Sequence, residues 1–171
     1  MRSFVLQQVF PVPPAEVMQA QLHPGLNAFL LTRVPDLLER TELSRTTRGD
    51  VVELRTRCVP APRIPEVARA VVRPELITWV EEARVDLVRG QIRVDITPAG
   101  FRDIFRFKGA IQVTAQGTGS LRRVEASVEI RMLFVGGLVE DYLVQEIRRN
   151  MAAEGDALVE FVVQGRHRAA T

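Results

Sequence analysis

Three reactive residue types are almost missing from this chain. Cys58 is the only cysteine and Lys108 the only lysine, and histidine is confined to His23 and His167. A single cysteine excludes an intramolecular disulfide and a cysteine-based zinc site, and it suits a reducing cytoplasm. Two histidines so far apart leave no basis for a histidine-held metal, so neither metal nor cofactor is expected. No window approaches the ~20 consecutive apolar residues that span a bilayer. The N-terminus, MRSFVLQQVFPVPPAEV, lacks the apolar core of a signal peptide. A soluble, cytoplasmic protein without stable membrane insertion is therefore expected.

Nor is there an excess of charge of one sign. The net charge is +2 from 23 basic and 21 acidic side chains, too weak a field to gather nucleic acid. The arginines are dispersed from Arg2 to Arg168 among Glu and Asp, so no nucleic-acid partner is expected. What is present is 171 residues, 46% hydrophobic and 26% charged, the mix of one globular domain long enough to bury a core. A single domain over residues 1–171 is the reading.

The hydrophobic period changes along the chain. Ser3 to Phe10 reads as a strand closed by Pro11, and Pro13 and Pro14 open a short helix because proline suits a first helical turn. His23, Pro24 and Gly25 break it, and Leu26 to Leu31 forms a second one. From Leu37 the period is two. Leu37–Arg45 and Val51–Cys58 flank a turn at Arg48, Gly49 and Asp50, with Val52, Leu54, Thr56 and Cys58 on one face. Four prolines and a helical run at Glu66–Val72 make a connector. Leu76–Leu87 pairs with Gln91–Thr97 across Arg89-Gly90. A third hairpin joins Phe105–Val113 to Leu121–Arg131, with Val124, Ala126, Val128 and Ile130 opposite Arg123, Glu125, Glu129 and Arg131. After Gly136 and Gly137 the period becomes helical for about 28 residues, to about Val163, enough to cross a sheet. Gly155 is a weak point of that helix unless it permits a bend or close packing.

One strand, two short helices, six strands in three hairpins and one long terminal helix make an α+β domain whose sheet of about seven strands is antiparallel. Two stretches also look familiar: Leu76-Ile-Thr-Trp-Val-Glu-Glu82, and Leu133-Phe-Val-Gly-Gly-Leu-Val-Glu-Asp141 entering the last helix. In order and spacing they resemble the bacterial DUF2505 family of unknown function, within the START-like (SRPBCC, Bet v 1-like) superfamily. The resemblance spans nearly the whole chain. It implies the helix-grip fold, a curved sheet wrapped around the C-terminal helix, with a cavity between them for a lipid, polyketide, sterol or other apolar molecule.

Candidate site residues follow from the phase of each element. Cys58, Trp79, Val94, Phe105, Phe107, Tyr142, Ile147 and Met151 fall on inner faces, where they either line an apolar pocket or fill a packed core. The hydroxyl of Tyr142 needs a partner if buried and could orient a ligand. Glu81 shares a face with Trp79 and Ala83, while Glu82 points away, so the two cannot act as paired carboxylates on one substrate. An inward Glu81 would have its pKa raised by burial and become a proton donor or headgroup ligand. Glu81 and Tyr142 are thus the only catalytic candidates. His23 reads as a cap or surface residue in its turn. Arg48-Gly49-Asp50 has the composition of a hairpin turn rather than an adhesion site. Arg55, Arg57, Arg106, Lys108, Arg123 and Arg131 read as a solvated outer face paired with Glu53, Glu125 and Glu129. Two readings remain: a non-catalytic carrier or sensor of an apolar small molecule or lipid, and a polyketide cyclase or aromatase-like enzyme on the same fold. Binding is favoured, because no two titratable residues fall plainly on one inner face.

Overall fold

The computed structural model describes residues 1–34, 36–61, 78–100, 102–131 and 136–169, without the side chains of 136–140, 142–143 and 166–169. In chain order the elements are β1 (Arg2–Phe10), α1 (Pro14–Gln21), α2 (Leu26–Leu31), β2 (Leu37–Arg48), β3 (Val51–Pro60), β4 (Trp79–Asp86), β5 (Gln91–Pro98), β6 (Phe105–Gln116), β7 (Gly119–Ile130) and α3 (Gly136–Ala169). The helical run expected at Glu66–Val72 and the expected strand start at Leu76 lie outside the described residues.

The three hairpins form a meander, and β1 closes it on the far side of β7. The seven strands lie in the order β1-β7-β6-β5-β4-β3-β2, every neighbour antiparallel. Each hairpin turn contains one glycine at positive φ, Gly49, Gly90 and Gly117, the conformation a tight turn between twisted strands demands. β2, β6 and α3 run beyond their expected ends, to Arg48, Gln116 and Ala169. Hairpin ladders continue past the last buried side chain, as at the exposed Thr114–Gln116, because backbone pairing does not need a covered face.

Period-two alternation sorts the side chains onto two faces. On β7, Arg122, Val124, Ala126 and Val128 are buried while Arg123 and Glu125 are exposed. The outer face carries ion pairs along and across strands: Arg55–Glu82 at 3.1 Å, Arg84–Glu53 at 3.3 Å, Arg57–Glu39 at 2.8 Å and Arg123–Glu125 at 2.6 Å. Such exposed pairs contribute little each, and the face they make is polar and locally neutral. The inner face is covered by α3, which packs on β1, β7, α1 and α2. Phe10, Val12, Val17, Met18, Leu30, Val124, Val128 and Leu158 are almost completely buried there. This is the helix-grip arrangement.

Side-chain clamps fix α3 along its length. Arg2 of β1 pairs with Asp141 at 2.8 Å, and Arg33, just after α2, holds Glu160 with two hydrogen bonds of 2.7 and 2.8 Å. Arg149 pairs with the buried Asp36 and, at 2.6 Å, with Glu146. Gly155 supplies the closest approach. A Cβ at this buried position would lie 1.8 Å from Gln8 Nε2, which donates a 3.0 Å hydrogen bond to the carbonyl of Ala152. The glycine costs about 1 kcal/mol of helix propensity, and in exchange β1 reaches the helix backbone.

Leu158 of α3 belongs to the buried core, with 2% exposure. Leu158→Ala is expected to destabilise the protein by about 2–5 kcal/mol, and Val9→Ala, on the outer face of β1, by less than about 0.5 kcal/mol. Urea unfolding followed by circular dichroism measures both.

Candidate functional site

The inner face is not uniformly apolar. Towards the β2–β4 side it carries charged groups, and strand register brings them together. Arg40 on β2 is the register partner of Cys58, and Cys58 of Trp79. One step along, Thr56 pairs with Glu81. At the other end of the sheet Gln8 and Arg122 are direct partners across β1 and β7. Glu154 comes from α3 above them, one turn beyond Met151 on the same side. The placement of Arg40 depends on irregular pairing: β2 shifts register between Leu37 and Glu39 and again between Glu42 and Ser44. Each shift breaks the alternation, so Arg40, Glu42 and Arg45 all border the interior.

Between these groups is a cavity of about 60 Å³. Its apolar wall includes Leu54, Ala83, Val85, Ile92, Val94 and Met151, and its polar wall includes Thr56, Arg40, Glu81, Arg122 and Glu154. The void holds a few water molecules or a compact polar group, well below the ~300 Å³ at which drug-sized pockets begin.

Arg40 organises the charges. Its Nη2 and Nη1 donate to the two carboxylate oxygens of Glu81 at 3.0 and 3.4 Å, its Nε donates to Asn27 Oδ1 at 2.9 Å, and Nη2 lies 3.4 Å from Glu154. Burial opposes the charge on Arg40, but Glu81 and Glu154 together outweigh it and hold the guanidinium above its ordinary range. Glu81 shifts upward, because burial disfavours its charge more than Arg40 favours it and Glu154 adds like-charge repulsion. Cys58 is fully buried, with its Sγ 3.7 Å from Arg40 Nη1, and burial pushes its thiol up to about 12. It is therefore a neutral thiol and a poor nucleophile at physiological pH.

Arg122 differs from Arg40. It is 3% exposed, and burial lowers its pKa against the partial support of Glu154 and Glu81. Its Nη1 donates to Gln8 Oε1 at 2.6 Å, and its Nε is sealed from solvent with no hydrogen-bond partner among the described residues.

The residues singled out from the sequence fall into several places. Glu81, Val94 and Met151 border the cavity. Phe107 is buried in the core, with Phe105 and Ile147 packed half-buried against it. Cys58 and Trp79 sit beside the cavity in the β2–β3–β4 ladder, and Trp79 Nε1 is a buried donor without a partner among the described residues. Phe105, Phe107, Ile147, Cys58 and Trp79 are not among the cavity's lining side chains. The side chain of Tyr142 lies outside the described residues. His23 accepts a 3.0 Å hydrogen bond from the Gly25 N–H at Nδ1, and its ring meets the edge of Phe161. Among the described residues no three His, Cys, Asp or Glu side chains are grouped to hold a metal ion.

Arg40, Arg122 and Glu154 escaped the sequence reading. Two of them left a signal. Arg122 is in phase with Val124, Ala126 and Val128, and Glu154 lies at helical spacing from Met151 and Leu158. A charged residue inside an apolar stripe marks a buried ion. Arg40 left none, because the register shifts of β2 erase its parity.

Removing one partner of a buried pair leaves an uncompensated charge. Glu81 has a raised folded-state pKa, so its contribution to stability is greatest at low pH and is lost as pH rises through that pKa. Without Arg40 the loss steepens. Arg40→Met is expected to destabilise by about 3 kcal/mol at pH 8 and by clearly less at pH 5. Adding Glu81→Gln to it should remove much of that pH dependence, as urea unfolding at the two pH values will show.

A search of curated proteins finds no match to the sequence, whereas solved structures match throughout. The Thermus thermophilus protein TTHA0849 superposes with TM-score 0.72 at 17% identity, over 96% of this chain and 99% of that one. Norcoclaurine synthase from Thalictrum flavum gives 0.65 at 17% identity, over 95% and 86%. The Zhui aromatase/cyclase from Streptomyces sp. R1128 gives 0.64 at 14% identity, over 99% and 97%. At these identities the likeness establishes the fold that the meander and α3 already display. Residues 6–162 match the family described as "Protein of unknown function (DUF2505)", and the chain belongs to that family.

Proposed function

We propose that this protein binds a small, largely apolar molecule with one polar end, held between the inner face of the sheet and α3, and serves as its carrier or sensor. The observation that carries this reading is the partly open cavity bordered by Arg40, Glu81, Arg122 and Glu154 beside a largely apolar core. Taking Arg122 out of water, and Arg40 and Glu81 largely so, is costly. A hydrophobic cluster of the same volume would serve stability at least as well, so the polar wall points to recognition. The cavity takes the polar end of the ligand. The apolar remainder, a lipid chain or a ring system, would displace the half-buried Met151 and Ile147 between helix and sheet. A reducing, intracellular setting accompanies this reading, and no described helix is long and apolar enough to cross a membrane.

Native mass spectrometry of the purified protein, followed by solvent extraction, is expected to recover a bound small molecule from the wild type. Ala83→Leu fills the cavity, and it is expected to keep the fold while losing the bound mass. An empty wild type that also binds no apolar probe would sink the proposal.

The upward shift of Glu81 beside Glu154 favours a second reading, a cyclase-like enzyme in which Glu81 moves a proton. On that reading Glu81→Gln is expected to reduce turnover of a bound polyketone at least about 100-fold, within the usual range for general acid–base catalysis, without releasing the ligand. Unchanged turnover would remove Glu81 from the chemistry.

A further inference from the structure

The four charges of the cavity do not pair off. Arg40 takes both carboxylates: Glu81 through two hydrogen bonds and Glu154 at 3.4 Å. Arg122 is left with a neutral partner. It makes one hydrogen bond, from Nη1 to Gln8 Oε1, and among the described residues no carboxylate reaches salt-bridge distance of it. Its Nε is buried and unpaired, and Nη2 beside it donates to no described residue. That edge of a guanidinium presents two parallel N–H groups at the spacing of carboxylate oxygens. A buried donor left unsatisfied is costly, and a buried cation more so. Yet Arg122 is held firmly: Gln8 accepts from it with one end of its amide and donates to the carbonyl of Ala152 with the other. Gly155 provides the room, since any Cβ there would collide with the Gln8 amide. Three elements, β7, β1 and α3, thus cooperate to hold out a cation whose free edge has no partner among the described residues.

We propose that Arg122 is the receptor for a carboxylate, so that the ligand of this cavity is a carboxylic acid, with Gln8 and Gly155 as the positioning residues that orient the guanidinium. This rests on the reading that the cavity binds a small molecule, and it names the chemistry of the polar end. A carboxylate supplies acceptors for the free Nε and Nη2 edge and a negative charge in direct contact with the guanidinium, which Glu154 and Glu81 support only from beyond ion-pair distance. A neutral amide or alcohol supplies at most one good acceptor and no charge. The cavity volume of about 60 Å³ suits the carboxylate itself, which is shared by short-chain acids and by the head of a fatty acid or other long-chain acid.

The test is titration calorimetry of the wild type with acetate, butyrate and decanoate, each against its own primary amide. Carboxylates are expected to bind about 10- to 100-fold tighter than the matched amides, as hydrogen bonds to a charged group predict. Preference at butyrate alone identifies a compact acid, and preference growing to decanoate identifies a long-chain one. In Arg122→Gln the preference should vanish while decanamide still binds, which shows that the variant is folded and the cavity intact. Arg122→Lys keeps the charge without the fork and should lose most of the preference. Gln8→Ala and Gly155→Ala leave Arg122 in place but unseat its support, and both should reduce the preference, which a merely structural role for either residue would leave untouched. Equal binding of acid and amide by the wild type, or a preference that survives Arg122→Gln, overturns the carboxylate assignment while leaving the cavity reading intact. Binding of none of the six probes, with no molecule retained on purification, overturns both.

Discussion

The constraint on which this structure depends is that α3 must lie across one face of a seven-stranded sheet. Each hairpin presents a row of apolar side chains on that face, and no other described element is long enough to cover them. Covering them is worth about 25 cal/mol per Å² of apolar surface removed from water, and it accounts for the near-complete burial of Phe10, Val124, Val128 and Leu158. It also sets the terms for everything polar. Any charged group on the inner face is enclosed once the helix closes, and must be satisfied by its neighbours.

Arg40 and Arg122 meet that condition in opposite ways. Arg40 is saturated, with Glu81, Glu154, Asn27 and the Cys58 sulfur all around one guanidinium. Such a cluster is tolerated rather than favoured, since desolvation of the ions offsets most of their attraction. Arg122 is only half satisfied, with one edge of its guanidinium left without a partner among the described residues. On the proposed reading the carboxylate of the ligand supplies what this edge lacks. Gly155 belongs to the same arrangement. It weakens the helix locally and admits Gln8, so a loss in α3 supports the orientation of a side chain on β7.

How much of the site was legible follows from what encodes each residue's direction. Glu81 could be placed because β4 alternates regularly, and its face was already marked by Trp79 and Ala83. Arg122 and Glu154 are equally regular in phase but are not singled out by the sequence, since a charged side chain argues against an inward position. Arg40 could not have been placed from its strand, because the two register shifts of β2 exist only where it pairs with β3. The apolar candidates show the converse. Phe105, Phe107 and Ile147 lie on the inward side as their periodicity requires, but periodicity cannot tell a residue facing a void from one facing another side chain. That distinction belongs to packing.

The sequence by itself determined the order of the described elements, the three hairpins with their glycine turns, the inner face of each regular strand and the long terminal helix. These follow from local rules of period two, period 3.6 and backbone conformation, which act between residues near in the chain. Tertiary structure alone decided which charges meet. Arg40, Glu81, Arg122 and Glu154 come from four elements spread widely along the chain, and their contact is set by strand register and by where α3 crosses the sheet. Coulomb and hydrogen-bond energies depend on distances of a few ångströms, and such distances between remote segments exist only after the fold has closed.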